Sequence, residues 1–257
     1  MDVIDRNKAL QIYLIGTLGQ IGLVCLAVFL SRRVVAVDYT TPAGMMAIAL
    51  GGLSSALWGT VLSVKYKRKE LSAVLMDFFG VLQRPGYYLL VFLFLFLDFF
   101  SAILGGGIAI EVWYTPIILF LKALVFGGIE EIGWRYFFQL VLQERWNYVA
   151  STLCTFVAWG IWHFAYFYVE GTLSVVDPVP FLFGLLTNCF ILSAIFNVTR
   201  SLWLCVMAHA LINVFSQIVV GGDACVAYVC RGIIIVLAIV LGREKPDVMK
   251  NNNDQET

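Results

Sequence analysis

Apolar runs of about 20 residues recur along this chain, and they constrain its fold more than any other feature. A helix rising 1.5 Å per residue needs about 20 residues to cross a hydrocarbon core of roughly 30 Å. Inside that core there is no water to satisfy backbone N–H and C=O groups, so an isolated crossing segment must be helical. We read eight such runs: 10–30, 42–64, 87–104, 113–143, 148–169, 180–199, 201–219 and 224–242. Residues are 61% hydrophobic and only 13% charged, against about 25% charged in soluble domains. The expected class is all-α, a polytopic membrane helix bundle of about eight transmembrane helices. The first run, Leu10–Leu30, exceeds the roughly 7–15-residue core of a cleavable signal and reads as a span.

Two stretches break the simple pattern. The run 113–143 is too long for one crossing; it is expected either to bend at Gly127-Gly128 or to leave the core at its end. Leu71–Arg84 mixes apolar residues with Asp77 and Gln83 and suits a short interfacial amphipathic helix. Gly105-Gly106-Gly107 reads as a flexible loop; no Lys-Ser or Lys-Thr follows it, so it is no phosphate cradle. No CxxC pair occurs among the six cysteines, which read as small apolar side chains. Net charge is zero, which gives no case for a nucleic-acid partner.

Lys and Arg set the expected orientation. If the loop carrying Lys65, Lys67, Arg68, Lys69 and Arg84 lies inside, twelve basic residues fall inside and only Arg32 and Arg33 outside. Both termini are then cytoplasmic, and the polar stretch 243–257 is expected to be a disordered cytoplasmic tail.

The functional signal is charge placed within the spans. Each such group costs roughly 2.5–3.5 kcal/mol on insertion scales, so it marks a site by default. Glu130, Glu131 and Arg135 share the fourth run; the chain's two histidines, His163 and His209, lie in the fifth and seventh. Glu131 and Arg135 are four residues apart and can pair, as His209 and Asn213 can share a face. Glu130 points about 100° away from Glu131, which leaves it free to face the histidines as a candidate general base. Asp98 and Arg231 are expected to pair across two spans, and Lys122 to snorkel or find an acid.

Glu130-Glu131-Ile132-Gly133-Trp134-Arg135 resembles the EExxxR motif of the CPBP family of intramembrane endopeptidases. That group includes the type II CAAX prenyl endopeptidases and bacteriocin-immunity homologues. Trp159-Gly160-Ile161-Trp162-His163 resembles its FxxxH motif, and His209-Ala210-Leu211-Ile212-Asn213 its HxxxN motif. Order and spacing match over about residues 115–220. Trp159 stands where Phe is usual, and Tyr136 where Gly is common. A membrane bundle of this length is expected to pack as one unit over 1–242, and the resemblance implies a catalytic core at about 115–220 within it. It implies an intramembrane glutamic endopeptidase that needs no cofactor or metal. Glu130 and His163 would activate a water, His209 and Asn213 would stabilise the oxyanion, and Glu131 and Arg135 would support them. The partners implied are the lipid bilayer and a membrane-associated peptide or protein substrate. Small size and short loops look like a prokaryotic cell-membrane member.

Three other readings compete. A zinc enzyme could use two His and two Glu, although HExxH is absent. A proton-coupled transporter would be favoured by inverted repeats, and none is evident. A non-catalytic scaffold or bacteriocin-immunity protein could share the fold, although such a member is expected to have lost a site residue.

Overall fold

The computed structural model describes residues 3–243. The polar tail expected at 243–257 lies outside the described residues beyond Arg243. Helices dominate: α1 (Val3–Ser31), α2 (Pro42–Gly52), α3 (Ser54–Lys67), α4 (Leu71–Phe78), α5 (Pro85–Asp98) and α6 (Phe100–Gly105) precede the strand β1 (Gly106–Ile108). After α7 (Thr115–Phe126), a 3-10 turn (Gly128–Glu130), a short α8 (Glu131–Gly133), a π-helical stretch (Trp134–Gln139) and α9 (Leu140–Leu142) complete the fourth run. Then come α10 (Tyr148–Glu170), α11 (Pro178–Thr199), α12 (Leu202–Ile218), the strand β2 (Val219–Gly221) and α13 (Ala224–Arg243). The chain is an all-α membrane bundle with one small ribbon.

All eight apolar runs are helical, but length and composition do not qualify all of them as crossings. Five segments are long and apolar enough: Asp5–Ser31, Pro42–Lys67, Tyr148–Glu170, Pro178–Thr199 and Ala224–Arg243. Pro85–Asp98 and Leu202–Ile218 are apolar but shorter. At 17 residues, α12 is about 25 Å long. The fourth run is broken at Gly127, where sequence placed a bend, because the helix ends at Phe126 and restarts through the 3-10 turn.

Local chemistry explains the boundaries. Asn147, Asp177 and Ser201 cap α10, α11 and α12 through side-chain oxygens that accept backbone N–H bonds. Pro178 opens α11, where its missing N–H costs nothing. Gly171 closes α10 at φ 89°, a left-handed position that favours glycine. The glycines 105–107 are not a free loop. Gly106 and Gly107 pair antiparallel with Gly221 and Val220. A side chain at Gly106 would collide with the carbonyl of Val220, so the ribbon needs glycine there. Its effect is to tie the end of α6 to the end of α12.

α4 buries Val74 and Phe78, one turn apart, and exposes Leu71, Leu75, Met76 and Phe79. Ser72 and Asp77 are exposed beside them, so the outer surface of this amphipathic helix mixes apolar and polar side chains. Arg231 Nε lies 3.9 Å from Asp98 Oδ1, joining α13 to α5 as expected. Lys122 is exposed and makes no salt bridge with a described residue. The cysteines are all free; Cys189, Cys205 and Cys230 are buried, and Cys225 is exposed.

Packing places the broken fourth run at the centre. α3 lies against α8 and the π-helical stretch, and α12 lies against α7 and the 3-10 turn. The α3 approach is close because glycines face each other: a Cβ on Gly59 would lie 2.5 Å from Gly133 Cα. Around this contact the core is aromatic. Tyr13, Phe94, Phe137, Phe138, Trp134, Trp159 and Trp162 are all nearly fully buried. Tyr13 stacks on Phe138 at 5.0 Å and meets Trp134 edge-on at 5.6 Å.

Candidate active site

The six residues singled out by sequence come from three elements that converge. Glu130, Glu131 and Arg135 belong to the irregular segment after Gly127, His163 to α10, and His209 and Asn213 to α12. Glu131 and Arg135 are fully enclosed, while Glu130 keeps 3% and His209 5% of their surface.

Glu131 is the hub of the ionic contacts. Arg135 Nη1 donates to its Oε1 at 3.3 Å. Arg135 Nε lies 3.3 Å from Oε2, an ion-pair distance without hydrogen-bond alignment. His209 Nδ1 lies 2.7 Å from Glu131 Oε1. The expected Glu131–Arg135 pair is therefore present, and His209 joins it. The Arg135 guanidinium also stacks over the Trp159 ring at 4.3 Å, a contact that gains strength where water is excluded.

Glu130 is held differently from the sequence expectation. No hydrogen bond links it to either histidine. Its Oε2 accepts from Trp159 Nε1 at 2.8 Å and from Trp134 Nε1 at 3.3 Å. The reason lies in the helix: Trp134 is one turn after Glu130, and Trp159 is one turn before His163. Glu130's main-chain carbonyl accepts from Ser55 Oγ at 3.1 Å, and Tyr13 OH lies 2.9 Å from that same Oγ. Because the Ser55 hydroxyl proton is committed to the carbonyl, Tyr13 is the donor to Ser55.

His163 and His209 present their free nitrogens differently. His163 Nδ1 sits 3.0 Å from the Trp159 carbonyl. A carbonyl only accepts, so Nδ1 carries the proton and Nε2 of the neutral ring is an acceptor. Trp159, Trp162, Phe167 and Phe181 surround the ring. A Cβ built on Gly127 would lie 3.3 Å from His209 Nε2 and would collide with Asn213 Nδ2. The two α12 side chains therefore converge beside Gly127, where only glycine leaves room.

A cavity of about 500 Å³ opens at this point. His163, His209, Asn213 and Trp159 line it, with Asp98 and Arg231 on another wall. Glu130, Glu131 and Arg135 are not among its lining residues; Trp159, which bonds Glu130, is. Among the described residues no group of three or more His, Cys, Asp or Glu has metal-binding placement.

Sequence reasoning missed Trp134, Trp159 and Ser55 as partners of Glu130, and Tyr13 as the partner of Ser55. Two of them left a signal. An indole one turn after a buried carboxylate, and a Trp where a Phe is usual, each add an N–H donor that needs a partner when buried.

No curated protein matches the chain. The sequence profile of the family described as Type II CAAX prenyl endopeptidase Rce1-like matches residues 112–215. That interval contains all six candidate residues and all three motifs. Over residues 112–215 the chain thus matches the type II CAAX prenyl endopeptidase Rce1-like family, in agreement with the resemblance carried by its motifs.

Proposed function

We propose that the chain is an intramembrane glutamic endopeptidase that cleaves a peptide bond at or within the membrane. The observation that carries this reading is the meeting of His163, His209 and Asn213 on one cavity inside the bundle, with Glu130 hydrogen-bonded to Trp159 of its wall. Glu130 and His163 are assigned to the water. His163 Nε2 is the acceptor its Nδ1 bond leaves free, and Glu130 is the carboxylate that takes the proton. The base must come within about 2.6–3.2 Å of the water it deprotonates. Asn213 Nδ2 is an oxyanion donor beside Gly127. In its doubly protonated form His209 gives Nδ1–H to Glu131 and Nε2–H to the oxyanion, with Glu131 as counter-ion. Arg135 neutralises Glu131 in turn. Preorganised donors of this kind are strongest in a water-poor site.

The substrate assigned is a membrane-associated peptide or protein. The catalytic core proposed is about 115–220, within one bundle over 1–242. Both termini are assigned to the cytoplasm on the twelve-to-two bias of basic residues, and the cell to a prokaryote on small size and short loops.

The deciding experiment is turnover of detergent-purified, folded variants on one native substrate, found by comparing membrane peptides from wild type and Glu130→Ala cells. Glu130→Gln and His163→Ala are each expected to lose about 10²–10⁴-fold, with no acyl-enzyme trapped, because water attacks. Near-normal cleavage by both would falsify the mechanism. Activity is expected to survive chelation; loss on chelation with rescue by zinc would transfer the reaction to a metal.

A further inference from the structure

Trp159 touches four of the six candidate residues, yet the reaction above gives it no part. Its indole N–H bonds Glu130 Oε2. Its ring meets His163 at 5.0 Å and His209 at 5.4 Å, both edge-on. Arg135 lies over its face. It forms part of the cavity wall, which Glu130 does not.

The two indoles converge on a single oxygen. Trp159 and Trp134 both donate to Glu130 Oε2, and no described residue donates to Oε1. A glutamate side chain has three rotatable bonds, so an unanchored carboxylate presents its oxygens in many orientations. Two donors on one oxygen remove that freedom. Indole N–H is a donor only. It can hold a carboxylate without competing to accept the proton that the carboxylate is meant to take.

We propose that Trp159 is the positioning residue of Glu130: with Trp134 as second donor, its indole N–H fixes Oε2 and leaves Oε1 available to accept a proton. Trp159 acts through Glu130 and not on the substrate. Its kinetic consequence rests on the peptidase reading; the hydrogen bond does not. A phenylalanine at this position would fill the space but supply no donor, so the anchoring follows from the tryptophan this chain carries.

The test has two independent arms. The first is indole N–H NMR of uniformly 15N-Trp-labelled protein in detergent, with each of the seven tryptophans assigned by Trp→Phe substitution. Glu130→Gln is expected to move the Trp159 and Trp134 indole protons upfield, because a charged acceptor is replaced by a neutral one. Trp162, bonded to Ser54 Oγ, and Trp203, bonded to Tyr88 OH, are internal controls that stay in place. An unmoved Trp159 resonance overturns the proposal. The second arm is kinetic. Trp159→Phe is expected to lower kcat about tenfold or more with KM little changed, the scale of one hydrogen bond to a charged group. Replacing Trp159 by benzothienylalanine, which keeps the ring shape and removes only the N–H, is expected to cost the same and covers the case in which Trp159→Phe fails to fold. Wild-type kcat in both, with Glu130→Gln inactive, overturns the positioning role and leaves the peptidase reading standing. Turnover by Glu130→Gln itself would instead defeat the peptidase mechanism, and the Trp159 contact is then decided by the NMR arm.

Discussion

The segment 112–215 and the helices before it differ in what they contribute. The first matches a protease family and supplies all six candidate residues. The second, α1 to α6, supplies none of them, yet it grips the backbone that carries Glu130. Tyr13 and Ser55 form a hydrogen-bonded chain that ends on the Glu130 carbonyl. Gly59 lets α3 come against Gly133 closely enough for that chain to form. The Ser55 hydroxyl gives that buried carbonyl a donor from another helix, a bond worth about 0.5–1.5 kcal/mol net. The lesson is a division of labour. The candidate side chains lie in the matched segment, while part of their backbone support lies outside it.

Substitutions can break or sharpen that division, from large effects to small. The largest belong to the matched segment. After the losses predicted for Glu130→Gln and His163→Ala, Asn213→Ala is expected to reduce kcat by about 10²–10³, the usual effect of deleting one oxyanion donor. Equal loss of substrate binding, measured as Kd for an uncleaved substrate, would instead make Asn213 a binding residue.

Arg135→Ala is expected to act on folding. It strands Glu131 as an enclosed carboxylate with only His209 beside it, a change that costs about 3–5 kcal/mol when one partner of a buried pair is removed. Thermal unfolding in detergent should show the loss, and Glu131→Gln in the same chain should recover part of it. A double variant as unstable as Arg135→Ala alone would mean that lost packing on Trp159, and not the stranded charge, is the cause.

Effects outside the matched segment are expected to be smaller and mainly structural. Gly59→Val drives a branched side chain into the Gly133 backbone, and overpacking of this kind costs about 1–3 kcal/mol. A melting temperature equal to wild type would show that α3 does not depend on that approach. Ser55→Ala is expected to be the mildest, lowering stability by about 1 kcal/mol through one hydrogen bond. It should also reduce kcat a few-fold with KM unchanged, since it loosens the Glu130 backbone. An effect on KM alone would place Ser55 in substrate binding and end the division of labour between the two regions. Reporter fusions test the arrangement as a whole: those after Lys69 and Arg145 should read cytoplasmic, and those near Asp38, Asp177 and Asp223 external. An external reading after Lys69 would reverse the proposed orientation.

Much of the molecule was decided by sequence alone. Apolar runs of crossing length fixed an all-helical membrane bundle, because a backbone in hydrocarbon has few other ways to satisfy its hydrogen bonds. The i,i+4 spacing of Glu131 and Arg135 fixed their pairing, because that geometry is internal to one turn of helix. The glycines at 127 and 128 announced the break in the fourth run. The rest depended on contacts between elements far apart in the chain. Spacing cannot say that His209 comes to Glu131 from 78 residues away, nor that Glu130 is taken by the Trp159 indole, 29 residues on, before it can meet a histidine. The same holds for the glycines at 105–107, whose pairing partner is the end of α12. Local periodicity sets which face of a helix a group occupies; only the packing of one helix on another selects which buried donor a carboxylate on that face will find.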